Sequence, residues 1–132
     1  MNISGIGIDI IDNDRIKKNL KNKSFIKKIF SKEEISTAKK LKNKISYYAK
    51  RYAAKEAFVK SIGTGFRKGL NFSDISIIND SLGKPSFVIT IKIQKLLKKM
   101  FKTVSFNFFL SISDEKKYSI AFVIFQKKWK LI

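Results

Sequence analysis

The strongest structural signal in this sequence is a predicted long helix that carries a carboxylate and a lysine on one face. Residues 46–62 have helical spacing and are followed by a glycine-flexible turn, Gly63-Thr64-Gly65. Positions four apart are neighbours on a helix surface, so Glu56 and Lys60 are predicted to lie side by side. Such a pair is either a plain surface ion pair of little energetic consequence or part of a site that holds a metal ion and a phosphate together.

The same helix has a predicted core side. Ala54, Phe58 and Ile62 recur at intervals of four residues and form an apolar stripe, whereas Arg51 and Lys55 lie on another face. We therefore expect the stripe to pack against the rest of the molecule.

The remaining sequence alternates between strand and helix patterns. Strands are predicted over residues 3–11, 71–78, 87–90, 104–112 and 118–125, and shorter helices over residues 15–20, 25–30, 31–41 and 92–100. Ser31 and Glu34 have the spacing of a capping box at the start of one of these helices. The pattern predicts one α+β domain, residues 1–126, followed by a basic tail, residues 127–132.

The net charge of +19 at 132 residues is unusual and comes almost wholly from lysine. It indicates either an anionic partner or a general compositional bias. Arginine forks, which read DNA bases, are scarce, and this disfavours sequence-specific DNA binding. A lysine-rich nucleic-acid-binding module without catalysis remains the alternative to an enzyme.

The chain has no cysteine and no histidine. Disulfides, thiol nucleophiles, histidine bases and the usual zinc ligand sets are therefore excluded. A bound metal would need oxygen ligands, which favours magnesium, manganese or calcium. The N-terminal residues lack a basic segment, and Asp9 and Asp12 interrupt the apolar run. We expect no signal peptide and a cytoplasmic location.

Asp9 follows Gly5 and Gly7 at the end of the first predicted strand. Two glycines at this spacing would let another backbone or a ligand approach the strand closely. Asp9 is either a strand-end cap or, together with Glu56, a source of two oxygen ligands for magnesium. Two such ligands would leave several coordination positions for water and phosphate oxygens.

Several short motifs occur in a fixed order over residues 3–124. They are Gly5-Ile6-Gly7-Ile8-Asp9-Ile10, Arg51-Tyr52-Ala53-Ala54-Lys55-Glu56-Ala57 with Lys60, Gly63-Thr64-Gly65, Phe72-Ser73-Asp74-Ile75, Gly83-Lys84-Pro85, and Leu110-Ser111-Ile112-Ser113 with Tyr118-Ser119-Ile120-Ala121. In order and spacing the chain resembles the holo-acyl-carrier-protein synthase family, the small bacterial-type 4′-phosphopantetheinyl transferases.

The resemblance implies a fold and a reaction. The implied fold is α+β, with an antiparallel sheet packed with a long central helix and a homotrimer whose active sites lie between neighbouring protomers. The implied reaction moves the phosphopantetheine arm of coenzyme A to a serine of apo acyl carrier protein, in fatty acid biosynthesis, and releases adenosine 3′,5′-bisphosphate. Asp9 and Glu56 would hold Mg²⁺, and with Lys60 they form the implied catalytic set.

The resemblance also implies binding residues. Lys60 would contact the phosphates of coenzyme A and assist proton transfer, and Arg15 would meet the acidic recognition helix of the carrier protein. The residues implied in nucleotide binding are Arg51, Lys60, Gly63, Gly65, Lys84 and Pro85. Neither a membrane nor nucleic acid is expected as a partner.

The closing motif departs from the family pattern. Phe109 and Asp114 stand where the family usually has histidines. The base that deprotonates the attacking serine is therefore left open between a water on the metal, a carboxylate and Lys60. Asp114 is expected to take over a polar contact, and its charge would oppose nearby phosphates.

Overall fold

The computed structural model describes residues 2–66, 69–102 and 105–128. Along the chain, the elements are β1 (Gly5–Asp12), α1 (Asn13–Asn19), α2 (Lys23–Ile29), α3 (Lys32–Lys39), α4 (Lys44–Ile62), a 3-10 turn (Phe72–Asp74), β2 (Ser76–Asn79), β3 (Pro85–Val88), α5 (Ile91–Phe101), β4 (Ser105–Asp114) and β5 (Tyr118–Lys128). The predicted α+β class is confirmed.

The main sheet has the strand order β1-β5-β4 and is antiparallel throughout, while β2 and β3 form a separate hairpin. In this register Asp9 of β1 lies opposite Ala121 of β5, and Ile10 lies opposite Ile120. Because side chains alternate along a strand, Asp9 and Ile11 face the interior of the molecule and Ile10 faces outward.

The long helix α4 lies across the inner face of this sheet. Its backbone comes so close to β1 that a Cβ atom built on Gly5 would lie 1.9 Å from the Ser61 carbonyl oxygen, and one on Gly7 would lie 1.9 Å from the Ala57 carbonyl oxygen. The close backbone approach predicted from the two glycines is confirmed, and it brings α4 against the strand that carries Asp9.

The ends of α4 are set by local chemistry. Asn43 accepts a hydrogen bond from the Ser46 amide, so the helix begins two residues earlier than predicted. Gly63 ends it with a φ of 80°, a conformation that favours glycine. The predicted stripe of Ala54, Phe58 and Ile62 is fully or nearly fully buried, as expected.

Two other boundaries differ from prediction. The segment predicted as one strand over residues 71–78 begins with the 3-10 turn, and β2 is only four residues long. Strand β5 continues to Lys128, so Lys127 and Lys128 belong to the sheet instead of to a tail; residues 129–132 lie outside the described residues. The division into a domain of residues 1–126 and a tail stays a prediction.

Within the ranges that the structure describes, no helix is both long enough and apolar enough to cross a bilayer.

Candidate active site

Asp9 and Lys60 meet where β1 passes under the last turns of α4. The Lys60 Nζ atom lies 3.1 Å from Asp9 Oδ1 and also donates to the Ile8 carbonyl oxygen at 3.0 Å. The Lys60 side chain is half exposed, and the Asp9 side chain is mostly covered. The ion pair of Lys60 is therefore with Asp9 on the neighbouring strand, although Glu56 is its neighbour along the helix.

Glu56 is the second carboxylate of this cluster. Burial is the main cause of the raised pKa of Glu56, and the negative charge of Asp9 raises this pKa further. The charge of Lys60, the neighbouring Tyr52 hydroxyl and the charge of Arg15 lower the pKa of Glu56. Glu56 lies one turn before Lys60 on α4, and Lys60 pairs with Asp9 at 3.1 Å, so the helix and the ion pair bring both sequence-predicted carboxylates towards the same lysine.

Asp9, on β1, is affected by the same two cations, Lys60 and Arg15. Burial raises the pKa of Asp9, while the hydrogen bond and charge of Lys60, and the charge of Arg15, counteract part of that rise. The cluster thus holds two partly buried carboxylates between two cations. Such an arrangement favours a further positive ion, because a cation relieves both the repulsion and the cost of burying charge.

Arg15 is positioned by the first residues of α1. Asp12 caps the helix by accepting from the Asp14 amide at 2.8 Å. Asn13 is tied to the turn between β4 and β5, where its Nδ2 atom donates to the Glu115 carbonyl oxygen at 3.0 Å. These contacts fix the start of α1, the helix that carries Arg15. The sequence assigns Arg15 only to the carrier protein, but its positive charge also counteracts the rise in the pKa of Asp9 and of Glu56.

Tyr52 is a site residue that sequence reasoning did not single out. It lies four residues before Glu56, on the same face of α4, and burial first and then the charge of Glu56 raise the pKa of its hydroxyl. The spacing of residues 52, 56 and 60 is the signal that could have identified it.

Arg51 contacts a different part of the molecule, the hairpin of β2 and β3. Its guanidinium lies 3.7 Å from the centre of the Tyr47 ring and donates to Asn79 Oδ1 at 2.5 Å. Asn79 in turn donates to the Gly83 carbonyl oxygen at 2.8 Å, within the turn that carries Lys84. Arg51 is almost entirely buried. The structure therefore groups Arg51 with the turn of Lys84 and Pro85.

The turn of Gly63 and Gly65 directly follows α4, the helix that carries Lys60. Gly63 and Gly65 have φ values of 80° and 59°, which side-chain-bearing residues rarely adopt. The Thr64 hydroxyl donates to the Gly65 carbonyl oxygen at 2.7 Å. The predicted glycine-dependent turn is confirmed, while its contact with a nucleotide stays a prediction.

The two unusual residues of the closing motif lie elsewhere. Asp114 Oδ2 accepts from the Ser46 hydroxyl at 2.9 Å, at the amino end of α4, where a negative charge is favourable. Ser46 precedes Glu56 by ten residues, which is about 15 Å along a helix axis. Phe109 is half exposed on the outer face of β4. Within one protomer, neither residue reaches the carboxylate cluster.

Comparison with known proteins assigns the family. The sequence model of the 4′-phosphopantetheinyl transferase superfamily matches residues 5–123. The chain belongs to this superfamily. The superfamily relative from Pelagibacter ubique (strain HTCC1062), a holo-[acyl-carrier-protein] synthase, is 68% identical over 128 residues, which cover 97% of this chain and 100% of the relative. That of Zymomonas mobilis subsp. mobilis is 45% identical and covers 94% of this chain and 96% of the relative.

Solved structures of the superfamily have the same fold. Holo-[acyl-carrier-protein] synthase from Neisseria meningitidis superposes with a TM-score of 0.84 at 38% identity, covering 96% of this chain and 100% of that one. The enzyme from Bacillus anthracis str. Ames in complex with CoA (3′,5′-ADP) gives 0.79 at 36% identity, covering 96% and 98%. The family and fold predicted from the sequence motifs are confirmed.

Proposed function

We propose that this protein transfers the 4′-phosphopantetheine arm of coenzyme A to a serine of apo acyl carrier protein. The serine oxygen bonds to the phosphorus that carries the pantetheine, and adenosine 3′,5′-bisphosphate leaves. The observation that carries the proposal is the convergence of Asp9, Glu56 and Lys60 between β1 and α4 in a chain of this superfamily. We place the reaction in the cytoplasm and in fatty acid biosynthesis, as the resemblance implies.

Asp9 and Glu56 fit a divalent cation, and Mg²⁺ is the one we propose. Their donors are hard oxygens, and the charge of Asp9 raises the pKa of Glu56, so a cation at these carboxylates is favourable. Among the described residues, no group of three or more histidine, cysteine, aspartate or glutamate side chains could hold a metal ion. Two carboxylates would leave room for water and substrate oxygens. When bound, the ion would supply positive charge to the pyrophosphate.

The side chains of the cluster then divide the work of phosphoryl transfer, which depends mainly on positioning and charge stabilisation. Lys60 is half exposed and can turn its ammonium from Asp9 to a phosphate oxygen, where it stabilises the charge that develops on the leaving group. Tyr52, one turn before Glu56 on α4, is proposed to orient the Glu56 carboxylate. Arg15 adds positive charge on the side of the cluster that faces α1.

The nucleotide part of coenzyme A is proposed to contact the turn of Gly63 and Gly65 and the turn of Lys84 and Pro85. Lys84 is exposed, and its turn is closed by hydrogen bonds from the Leu82 and Lys84 amides to Asp80. Arg51 is buried against this turn, so we assign it a supporting role in nucleotide binding: it holds Asn79, from which the turn starts.

The carrier protein is proposed to dock on α1 and α2. Arg15 lies at the start of this surface, and six exposed lysines follow it: Lys17, Lys18, Lys21, Lys23, Lys27 and Lys28. A basic surface of this kind attracts an acidic partner and raises the association rate at low ionic strength. The excess charge that composition alone left unexplained thereby gains a partner.

A homotrimer is proposed from the outer face of the main sheet. Large apolar side chains there are between 37% and 60% exposed, namely Ile6, Ile8, Ile10, Phe109, Ile120 and Phe122. Contiguous apolar patches are uncommon on monomers and mark interfaces. We assign two further copies of this chain as the occupants. That the active sites lie between neighbouring copies is what the family resemblance implies, and it is part of this proposal.

The experiment that tests the function is release of adenosine 3′,5′-bisphosphate, followed by chromatography. The protein is incubated with Mg²⁺, coenzyme A and apo acyl carrier protein. The matched control is a carrier protein whose acceptor serine is alanine. We expect release only with the intact carrier protein. Equal release from both, or no release from either, would contradict the proposal.

A further inference from the structure

A buried ion pair lies beside α4, one residue from the catalytic glutamate. Lys55 is fully buried, and its Nζ atom donates to Glu34 Oε1 at 2.6 Å, to the Ile29 carbonyl oxygen at 2.9 Å and to the Phe72 carbonyl oxygen at 3.1 Å. Three acceptors use all three hydrogens of the ammonium group. The direction of the Lys55 side chain is therefore fixed.

The Glu34 carboxylate connects this lysine to further elements. Its Oε1 atom accepts from the Ser31 amide at 3.0 Å, which closes the capping box of α3, and its Oε2 atom accepts from the Ile77 amide of β2 at 3.2 Å. Through these two side chains, α4 is tied to the end of α2, the start of α3, the 3-10 turn and β2.

Stability alone is a weak reason for such a pair. Burial lowers the pKa of Lys55, and the charge and hydrogen bond of the neighbouring Glu34 are the largest effects that counteract it. Removing two charges from water is costly, and well-packed apolar residues often serve stability equally well. The distinctive property of the pair is its direction: hydrogen bonds hold the Lys55 ammonium at three points, so the pair resists rotation of α4.

The position of the pair around α4 shows what this rotation controls. Ala57 and Ser61 rest against Gly7 and Gly5 of β1. Lys55 precedes Ala57 by two residues, which is about 200° around a helix. The helix is thus held on nearly opposite sides, and Glu56 lies between the two contacts. At the surface of a helix, a roll of about 10° moves a side chain by about 1 Å.

We propose that Lys55 and Glu34 are positioning residues for the transfer reaction, fixing the rotation of α4 so that Glu56 and Lys60 stay aligned with Asp9. The inference rests on the proposed function for its catalytic readout. A misplacement of about 1 Å can cost about 100-fold in rate, so the effect belongs mainly to kcat.

The test compares the double variant Lys55→Met with Glu34→Gln against Leu97→Ala. Glutamine preserves the capping box, and the net charge of the pair stays zero. Leu97 is buried on α5, so Leu97→Ala lowers the melting temperature without touching the pair. Assayed where both variants are folded, the double variant should lose at least about 10-fold in kcat with KM for coenzyme A within about threefold. Leu97→Ala should keep its kcat.

A second readout does not depend on catalysis. The Gly5 and Gly7 amide resonances report how α4 rests on β1, and we expect them to shift in the double variant but not in Leu97→Ala. If the wild type transfers and the double variant keeps its kcat, the positioning role is overturned. If the wild type does not transfer, the proposed function fails, and the glycine resonances alone decide: shifted resonances support the inference, and unchanged ones overturn it. Should the double variant not fold, Glu34→Gln alone undergoes the same comparison.

Discussion

Gly7→Ala should separate α4 from β1 and misalign the candidate site. The new Cβ atom would lie 1.9 Å from the Ala57 carbonyl oxygen and 2.8 Å from the Ser61 nitrogen. Ordinary contact begins at 3.4 Å, so the two backbones must separate by up to 1.5 Å, the difference between 3.4 and 1.9. Neither obstacle is a flexible side chain, so no rotamer change relieves the clash.

The expected magnitudes follow from this displacement. Overpacking a well-packed core costs about 1–3 kcal/mol, and a shift of about 1 Å between catalytic groups can lower the rate about 100-fold. Without the clash, glycine to alanine would stabilise the protein by about 0.4–1 kcal/mol by restricting the unfolded chain. The sign of the change in unfolding free energy therefore decides whether the close approach is real.

The assay combines chemical denaturation with kcat/KM for transfer. We expect both quantities to fall for Gly7→Ala. Adding Ala57→Gly should not restore them, because the obstacle is the backbone oxygen of residue 57 and not its methyl group. An unchanged or increased stability with kcat/KM within twofold of the wild type would refute the reasoning.

Three further predictions concern the proposed metal site, the carrier-protein surface and the outer face of the main sheet. Asp9→Asn and Glu56→Gln should each abolish transfer while leaving the melting temperature within a few degrees; a rate unchanged by either would remove that residue from the metal site. Arg15→Glu should lower kcat/KM for the carrier protein, and the loss should shrink as salt rises, because exposed charges are screened; a loss independent of salt would argue against electrostatic docking. Phe122→Asp on the outer sheet face should convert a trimer to smaller species in sedimentation, and an unchanged sedimentation coefficient would contradict the assigned interface.

Those features of the fold that depend on local chemistry were predictable from the sequence. Ser31 and Glu34 form the predicted capping box, and the glycines after α4 adopt the positive φ values that a turn at that point requires. Gly5 and Gly7 indicated a close approach, and the structure shows that the approaching backbone is α4. In these cases a short stretch of residues determines the outcome.

Features that depend on distant partners were not predictable in the same way. Nothing adjacent to Lys55 indicates that its ammonium is buried against Glu34, 21 positions away. Lys60 was expected beside Glu56, yet its ion pair is with Asp9 on another element. The contact of Asp114 with Ser46 also joins residues 68 positions apart. Such pairings are set by how helices and strands pack, and local patterns do not encode them.

The proposed transfer is tested by the intact mass of apo acyl carrier protein after incubation with this protein, coenzyme A and Mg²⁺, with a parallel sample that contains a chelator. We predict a mass gain of one phosphopantetheine arm that is absent with the chelator. A carrier protein of unchanged mass in both samples would contradict the proposed transfer. A full gain in the presence of the chelator would contradict the role assigned to Asp9 and Glu56.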